Sequence, residues 1–203
     1  RTCSRHITCI SYSELVPFSS PKKALPMAEC DVNQKSSTEQ HRECARSQLC
    51  FAVVTVSDSR TLGTDKSGQI LVDAMCAAGH QLSSRQIVPD EPEQIASAIR
   101  SLHGHADLDV VLLTGGTGLS PRDRTPEAVL PLLDAEIPGF GELFRMLSFQ
   151  EIGAASMLSR AMAGRIGRLL VFCLPGSTNA VRLAVDQLLV PELPHLVHHA
   201  RTP

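Results

Sequence analysis

The stretch "VVLLTGGTGLSPRDRTPEAV", residues 110–129, joins an apolar run to a glycine-rich segment and then to a Thr-Pro-Glu sequence. The apolar run is typical of a strand buried on both faces, and the glycines after it indicate a tight turn. Thr125, Pro126 and Glu127 favour a helix start, with a cap, a first-turn proline and an acid near the amino end. This arrangement brings free backbone amides together, and such amides bind phosphate or carboxylate oxygens.

Two interpretations of the glycines stay open on the residues alone. Gly115, Gly116 and Gly118 could lie in a loop that binds an anion, or could serve only a turn that needs positive φ. Neither standard phosphate motif is present, because no Gly-Lys-Ser/Thr follows them and the GxGxxG fingerprint is absent. The stretch therefore predicts a strand, a turn and a helix, and leaves the ligand open.

Composition restricts the class of protein. The 203 residues are 43% hydrophobic and 20% charged, which predicts a folded chain with one sizeable core. A net charge of −2 and the absence of tryptophan argue against nucleic-acid binding. No apolar run reaches the roughly 18 residues of a membrane-spanning helix. The seven cysteines form no CxxC pair, which is typical of reduced thiols in a cytoplasmic protein.

The amino-terminal quarter differs from the rest of the chain. Residues 1–48 mix Ser, Cys, Pro, Gln and His without a helical or strand period, so they are predicted to be a disordered extension. One interpretation makes Met27 the true start, and the alternative is a short targeting or interaction tail. The folded domain is predicted to cover residues 49–203.

From Leu49 onward, apolar strands alternate with amphipathic helices. Strands are predicted at 49–57, 81–88, 108–114 and 168–175. Helices are predicted at 66–80, 91–102, 126–133, 143–159 and 178–189, with a glycine-marked turn at 137–142. This alternation predicts a three-layer α/β/α fold with a mostly parallel sheet.

In such folds ligands bind at the carboxyl edge of the sheet, so the residues that follow the strands are the candidate site. These residues are polar or glycine after every predicted strand: Ser57, Asp58, Ser59, Arg60, Asp65, Ser67 and Gly68; Asp90 and Glu91; Thr114 to Asp123; and Pro175, Gly176, Ser177 and Thr178.

Asp123 and Asp90 are the candidate metal ligands among them. Asp123 lies in a loop at the predicted ligand edge, where a carboxylate could hold Mg²⁺ on nucleotide phosphates. Asp90 could cap the helix that begins near Pro92, or could pair with Asp123 as a second oxygen ligand. The sequence leaves both interpretations of Asp90 open.

The order of the motifs VVTVSD, DKSG, VPDE, LLTGGTG, RDRTPEA, LSRAMAG and LPGST resembles the MoaB/Mog family of molybdenum cofactor biosynthesis. The resemblance runs from Leu49 to the carboxyl terminus, and TGGTG followed by DxTPE is its most specific signature. The phrases "GFGELFRMLSFQEIG" (139–153) and "LPGSTNA" (174–180) are most similar to the MoaB branch.

The resemblance implies that molybdopterin attacks the α-phosphate of Mg-ATP, giving adenylyl-molybdopterin and pyrophosphate. It implies that Asp90 and Asp123 bind Mg²⁺ and act in catalysis, in a homotrimer or homohexamer with other cofactor enzymes as further partners. The molybdopterin- and nucleotide-binding residues it implies, together with the helix start at Thr125 and Glu127, are Ser57, Asp58, Ser67, Gly68, Thr114, Gly115, Gly116, Thr117, Gly118, Thr125, Glu127, Pro175, Gly176 and Ser177.

One segment departs from the family pattern. Adenylyltransferases of the family carry Pro-Gly-Asn-Pro after the last strand, whereas this chain has Pro-Gly-Ser-Thr at 175–178. The alternative function is therefore a non-catalytic protein that binds or carries molybdopterin. The histidines at 195, 198 and 199 could indicate a metal site, but a solvated carboxyl-terminal helix is the favoured interpretation.

Overall fold

The computed structural model describes residues 48–202, so the predicted extension at 1–48 and the alternative start at Met27 lie outside the described residues, apart from Gln48. The strands of this range are β1 (Cys50–Val56), β2 (Gln81–Val88), β3 (Val110–Thr114), β4 (Ala135–Glu136), β5 (Met162–Ile166) and β6 (Leu169–Leu174). Its α-helices are α1 (Lys66–Ala77), α2 (Pro92–His103), α3 (Thr125–Val129), α4 (Pro138–Ile152), α5 (Thr178–Ala184) and α6 (Val190–Arg201).

The strands form one mixed sheet in the order β2-β1-β3-β6-β5-β4. Strands β2, β1, β3 and β6 run parallel, whereas β5 pairs antiparallel with both β6 and β4. The predicted α/β fold with a mostly parallel sheet is confirmed. The two short strands of the antiparallel edge were not predicted.

Successive residues of a strand point to opposite sides of the sheet. The central strands are apolar on both sides, and helices cover both faces of the sheet. On one face, Phe51 and Val53 of β1 belong to a buried cluster with Leu71 of α1 and with α4, α5 and α6. On the other face, Ala52 and Val54 belong to a cluster with α2 and α3. The fully apolar strands that predicted a sheet buried on both sides therefore do form its centre.

The predicted turn at 137–142 is wrong. Pro138 begins α4, where a proline costs no helical hydrogen bond, and the helix continues to Ile152. Gly141 belongs to the packing and not to a turn, because a Cβ there would lie 2.6 Å from the carbonyl oxygen of Ala161. A 3₁₀ segment at Gly153–Leu158 completes the helical region predicted to end at 159.

The carboxyl-terminal helix is longer than predicted. After α5, a π-helical turn at Val185–Leu189 leads into α6, so helical structure continues to Arg201. Leu193 and Val197 are buried against the sheet, and the three histidines lie on the same helix. Their predicted place in a carboxyl-terminal helix is confirmed.

Candidate functional site

A cavity of about 620 Å³ opens at the carboxyl edge of the parallel strands. It is lined by Val56, Ser57, Asp58, Ser59, Arg60, Asp90, Gly115, Gly116, Thr117, Gly118, Asp123, Leu158, Ser159, Pro175, Gly176 and Ser177. A second cavity, of about 630 Å³, lies at the opposite edge near Cys50 and Asp109, and it contains none of the predicted site residues. The carboxyl edge is therefore the candidate site.

Five of the predicted site residues stand behind the lining of this cavity and hold its loops. The Thr114 hydroxyl donates to the carbonyl of Pro175 at 3.0 Å, and the Thr125 hydroxyl donates to the carbonyl of Gly115 at 2.9 Å. The other three, each of which contacts the side chain of a charged residue, are Ser67 and Gly68 of α1 and Glu127 of α3.

The glycine turn has a geometry that other residues would strain. Gly115 has φ +108° and Gly116 has φ +64°, both in the region that favours glycine. A Cβ on Gly115 would lie 2.3 Å from the carbonyl oxygen of Val56, at the end of β1. The turn therefore needs its glycines for φ and for close approach, and it also lines the cavity.

Asp90 lies against this turn. A Cβ on Gly116 would lie 3.0 Å from Asp90 Oδ1, an oxygen that is buried without a hydrogen-bond partner in the described structure. Burial raises the pKa of Asp90 and the negative charges of Asp123 and Asp58 raise it further, which outweighs the lowering by a backbone hydrogen bond from Arg124 and by the charge of Arg122. The amide of Asp90 donates to Asp58 at 3.1 Å, which ties the ends of β1 and β2 together.

The interpretation of Asp90 as a helix cap is wrong. Helix α2 begins at Pro92 and its capping residue is Glu91, which makes no side-chain cap hydrogen bond. Asp90 lines the cavity instead of capping α2.

Asp123 faces the same cavity from the far side of the glycine turn. Its Oδ2 accepts a hydrogen bond from the amide of Ser120 at 3.0 Å, and a Cβ on Gly118 would lie 2.8 Å from that oxygen. The neighbouring Arg122 turns to Asp58, with which it forms an ion pair on the exposed surface. Asp90 and Asp123, which are far apart in sequence, therefore line the same cavity.

Asp65, one of the residues between β1 and α1, is buried and is surrounded by hydrogen-bond donors. Its side chain accepts hydrogen bonds from the Thr55 hydroxyl at 2.7 Å, the Gly68 amide at 3.0 Å and the Arg85 guanidinium at 3.0 Å. Burial alone would raise the pKa of Asp65, but these hydrogen bonds and one from Ser67 outweigh it and lower that pKa. The signal for Asp65 was its position before α1, which it caps.

Two arginines contribute contacts that join the loops of the site. Arg60 lines the cavity and donates to the carbonyl of Gly176 at 3.2 Å, so it links the loop after β1 to the loop after β6. Arg160 contacts the loop that carries Gly118 and Asp123. The sequence placed Arg60 after the first strand and Arg160 in the motif LSRAMAG, but it did not predict that either arginine would bind a loop carbonyl.

The lining combines carboxylates with hydroxyls, one guanidinium and the backbone of the glycine loops. The carboxylates can bind a cation, and the other groups can bind the oxygens of an anion next to it. Within residues 48–202, no group of three or more His, Cys, Asp or Glu side chains is arranged to hold a metal ion alone. Mg²⁺ in nucleotide sites is typically held by one or two carboxylates together with phosphate oxygens. Asp90 and Asp123 are the residues that could supply those carboxylates.

The sheet and its cavity define an α/β protein whose candidate ligand site lies at the carboxyl edge of the parallel strands. Residues 52–195 match the family described as "Probable molybdopterin binding domain". Molybdenum cofactor biosynthesis protein B of Bacillus cereus is 50% identical over 161 residues, which cover 79% of this chain and 95% of that protein. The chain belongs to this molybdopterin-binding family, and the resemblance to the MoaB/Mog proteins is confirmed.

Solved structures agree with this assignment. A crystal structure of molybdenum cofactor biosynthesis protein B is 51% identical, covers 75% of this chain and 96% of that chain, and has a TM-score of 0.74. The tungsten cofactor synthesizing protein MoaB from Pyrococcus furiosus is 37% identical, covers 78% and 100%, and has a TM-score of 0.70. These relatives support a role in molybdenum cofactor biosynthesis.

Proposed function

We propose that the protein binds molybdopterin and Mg-ATP and transfers AMP to molybdopterin, giving adenylyl-molybdopterin and pyrophosphate. The observation that carries this proposal is the buried Asp90 oxygen without a hydrogen-bond partner, which lies against the glycine turn. A buried carboxylate oxygen in that state is costly unless a cation or donor satisfies it. Family membership supports molybdopterin as the partner.

The residues present fit a magnesium ion that arrives with the nucleotide. The charges of Asp123 and Asp58 add to the effect of burial in raising the pKa of Asp90, so the ionised Asp90 carboxylate is disfavoured until a cation binds. Asp90 and Asp123 would hold the ion. When bound, Mg²⁺ would neutralise negative charge on the phosphates during the transfer.

The chain's own residues bind and orient in this reaction. A terminal phosphate oxygen of molybdopterin forms a bond to the α-phosphorus of ATP, and the bond from that phosphorus to the bridging oxygen breaks as pyrophosphate leaves. Such transfers need positioning and charge stabilisation more than a nucleophile on the protein. The backbone of Gly115, Gly116 and Gly118 offers close approach to the phosphates, and Arg60 offers a positive charge at the other side of the cavity.

Purified protein incubated with molybdopterin and Mg-ATP should yield adenylyl-molybdopterin, detected by mass spectrometry. Asp123→Ala should reduce the yield by on the order of 100-fold, because it removes a cation ligand at the reacting phosphates. The matched control is Asp73→Ala, an exposed acid of α1 outside the cavity, which should behave as wild type. Equal yields from Asp123→Ala and wild type would exclude the proposed role.

The second candidate function is binding or transport of molybdopterin without turnover. It is favoured by the Pro-Gly-Ser-Thr loop, in which the Ser177 hydroxyl accepts a hydrogen bond from the Ala180 amide at 3.3 Å and caps α5. Calorimetry separates the two functions. Molybdopterin binding that is unaffected by Mg-ATP, with no product, identifies a carrier.

We also propose that the protein is a homotrimer or homohexamer. An exposed apolar row on α4, formed by Leu143, Met146, Phe149 and Ile152, supports a covered face. Light scattering should give a mass that is a multiple of three chains, and a monomer at micromolar concentration would contradict the proposal.

A cytoplasmic location is the last part of the proposal. Cys50, Cys76 and Cys173 are free thiols, as expected of a protein kept in a reducing compartment. No helix between residues 48 and 202 is both long and apolar enough to cross a membrane. Fractionation of the source cells tests the location directly.

A further inference from the structure

Arg160, the residue that precedes the buried Ala161, connects three successive parts of the glycine-to-helix segment. Its amide donates to the carbonyl of Thr117 at 3.1 Å. Its guanidinium donates through Nε to the carbonyl of Gly118 at 2.9 Å and through Nη2 to the carbonyl of Asp123 at 2.5 Å. The remaining nitrogen forms an ion pair with Glu127 of α3.

The loop between Gly118 and Asp123 is incompletely held by its own hydrogen bonds. Inside it, the Asp123 amide donates to the carbonyl of Ser120 at 2.9 Å and the Ser120 amide donates to Asp123 Oδ2 at 3.0 Å. These bonds close the inner turn, and outside it the Thr125 amide donates to the carbonyl of Gly116 at 3.0 Å. The Arg160 guanidinium adds a side-chain bridge between these two closures, because it binds the carbonyls of Gly118 and Asp123 at once.

We infer that Arg160 is a positioning residue that closes the Gly118–Asp123 loop and so fixes the Asp123 carboxylate opposite Asp90. The inference rests on the proposed function for its consequence in catalysis, though the closure of the loop stands on geometry alone. Arg160 does not line the cavity, so it acts through Asp123 and the glycine turn and not on the substrate.

The two carbonyls require an arginine. A guanidinium is a planar fork whose nitrogens donate in fixed directions, whereas a lysine ammonium is a single point of charge on a flexible stem. Lysine at 160 would keep the positive charge near Glu127 but could not hold both loop ends in the same geometry. Arg160→Lys therefore removes the closure without removing the charge.

The matched control is Arg165→Lys on strand β5. Arg165 also donates to a backbone carbonyl, that of Gly167 at 2.7 Å, but it lies away from the cavity. Both variants should unfold in urea with the wild-type transition shape, which shows that each is folded.

The first measurement is hydrogen exchange of the full-length protein without ligand. In Arg160→Lys, the amides of Ser120 and Asp123 should exchange on the order of tenfold faster, whereas Arg165→Lys should match wild type. Unchanged exchange in this loop would overturn the inference, whatever the enzyme does.

The second measurement is the rate of adenylyl transfer against Mg²⁺ concentration. Arg160→Lys should lower kcat/KM by about 10- to 100-fold and raise the Mg²⁺ needed for half-maximal rate, as expected when a partner of a metal-binding carboxylate is lost. The KM for molybdopterin should change less than threefold, by the same reasoning. A loop that opens with no change in kcat/KM or Mg²⁺ dependence would overturn the positioning role.

The two measurements separate this inference from the proposed function. If wild-type protein makes no adenylyl product, the proposed function fails. Hydrogen exchange and calorimetry of Mg-ATP binding then still test whether Arg160 positions the loop that carries Asp123. In that case Arg160→Lys should weaken Mg-ATP binding by about tenfold or more, and equal affinity in the two proteins would overturn the inference.

Discussion

Asp65 and Asp90 are both carboxylates behind the same edge of the sheet, yet their surroundings are opposite. Asp65 is fully buried and accepts hydrogen bonds from hydroxyl, amide and guanidinium donors. Asp90 is partly buried and leaves Oδ1 without a partner. The pKa of Asp65 is lowered and the pKa of Asp90 is raised, so the protein stabilises one charge and penalises the other.

The difference separates a residue of the fold from a residue of the site. A carboxylate whose folded pKa is lowered adds stability above its unfolded pKa and loses it as the pH falls through the folded value. A carboxylate whose folded pKa is raised adds stability only at low pH and loses it as the pH rises through the folded value. At neutral pH the Asp65 charge therefore stabilises the domain, and the Asp90 charge costs stability until a cation binds.

Replacement of Asp65 should have the largest effect. Asp65→Asn removes the charge that pairs with Arg85, whose side chain is only 13% exposed. Breaking a buried pair in this way costs roughly 3 to 5 kcal/mol of unfolding free energy, to be measured by urea unfolding. The control is Asp73→Asn on the exposed face of the same helix, expected within about 0.5 kcal/mol of wild type. Equal stability of both variants would remove the contrast between the two carboxylates.

Asp90→Asn should leave the unfolding free energy intact but weaken the binding of Mg-ATP. The variant removes a penalised charge, so its unfolding free energy without ligand should be no lower than that of wild type. Its affinity for Mg-ATP should fall by on the order of 100-fold, because the neutral amide is a poor ligand for Mg²⁺. Urea unfolding and calorimetry on the same preparation check both halves. A marked loss of stability would place Asp90 among the residues of the fold.

Acid titration should distinguish the two residues with a smaller change. Because the pKa of Asp90 lies above its ordinary 3.8, Mg-ATP affinity should weaken as the pH falls through that raised value, before ordinary carboxyls are protonated. Over the same interval the stability advantage of Asp90→Asn over wild type should shrink, since protonated Asp90 no longer carries the penalised charge. Affinity that is flat down to pH 3.8 would contradict the raised pKa.

Much of the fold was predictable because its central strands are apolar throughout. The edge was not, since β5 has the sequence MAGRI, in which Gly164 and Arg165 interrupt the apolar pattern. Gly164 is required by packing, because a Cβ there would lie 2.7 Å from the carbonyl oxygen of Ala135 on the neighbouring strand. That contact is tertiary and leaves no periodic signal in the sequence.

Most of the lining of the candidate site was predictable from the rule that the strand ends of a parallel sheet meet, whereas Leu158 and Ser159 follow no predicted strand and were missed. The contacts that hold the loops of the site in place were harder to predict, because they join residues far apart in the chain. Arg85 reaches Asp65 across 20 positions, and Arg160 reaches Asp123 across 37. Neither segment has a periodic pattern that shows which groups its arginine binds, and only the folded chain shows those partners.

Substitutions of Ser177 should have the smallest effects on unfolding free energy and on the rate of adenylyl transfer. Like Asp65, its side chain accepts a hydrogen bond from a helix amide, that of Ala180, and so belongs to the fold even though it lines the cavity. Asparagine caps helices as well as serine does, so Ser177→Asn should change the unfolding free energy by less than about 0.5 kcal/mol, whereas Ser177→Ala should cost about 1 kcal/mol. Adenylyl transfer by Ser177→Asn should then stay within about threefold of wild type, since a change at this level is below 1 kcal/mol of transition-state stabilisation. A tenfold or greater gain in rate would show instead that the Pro-Gly-Ser-Thr loop limits a contact with substrate, and that Ser177 belongs with Asp90 among the residues of the site.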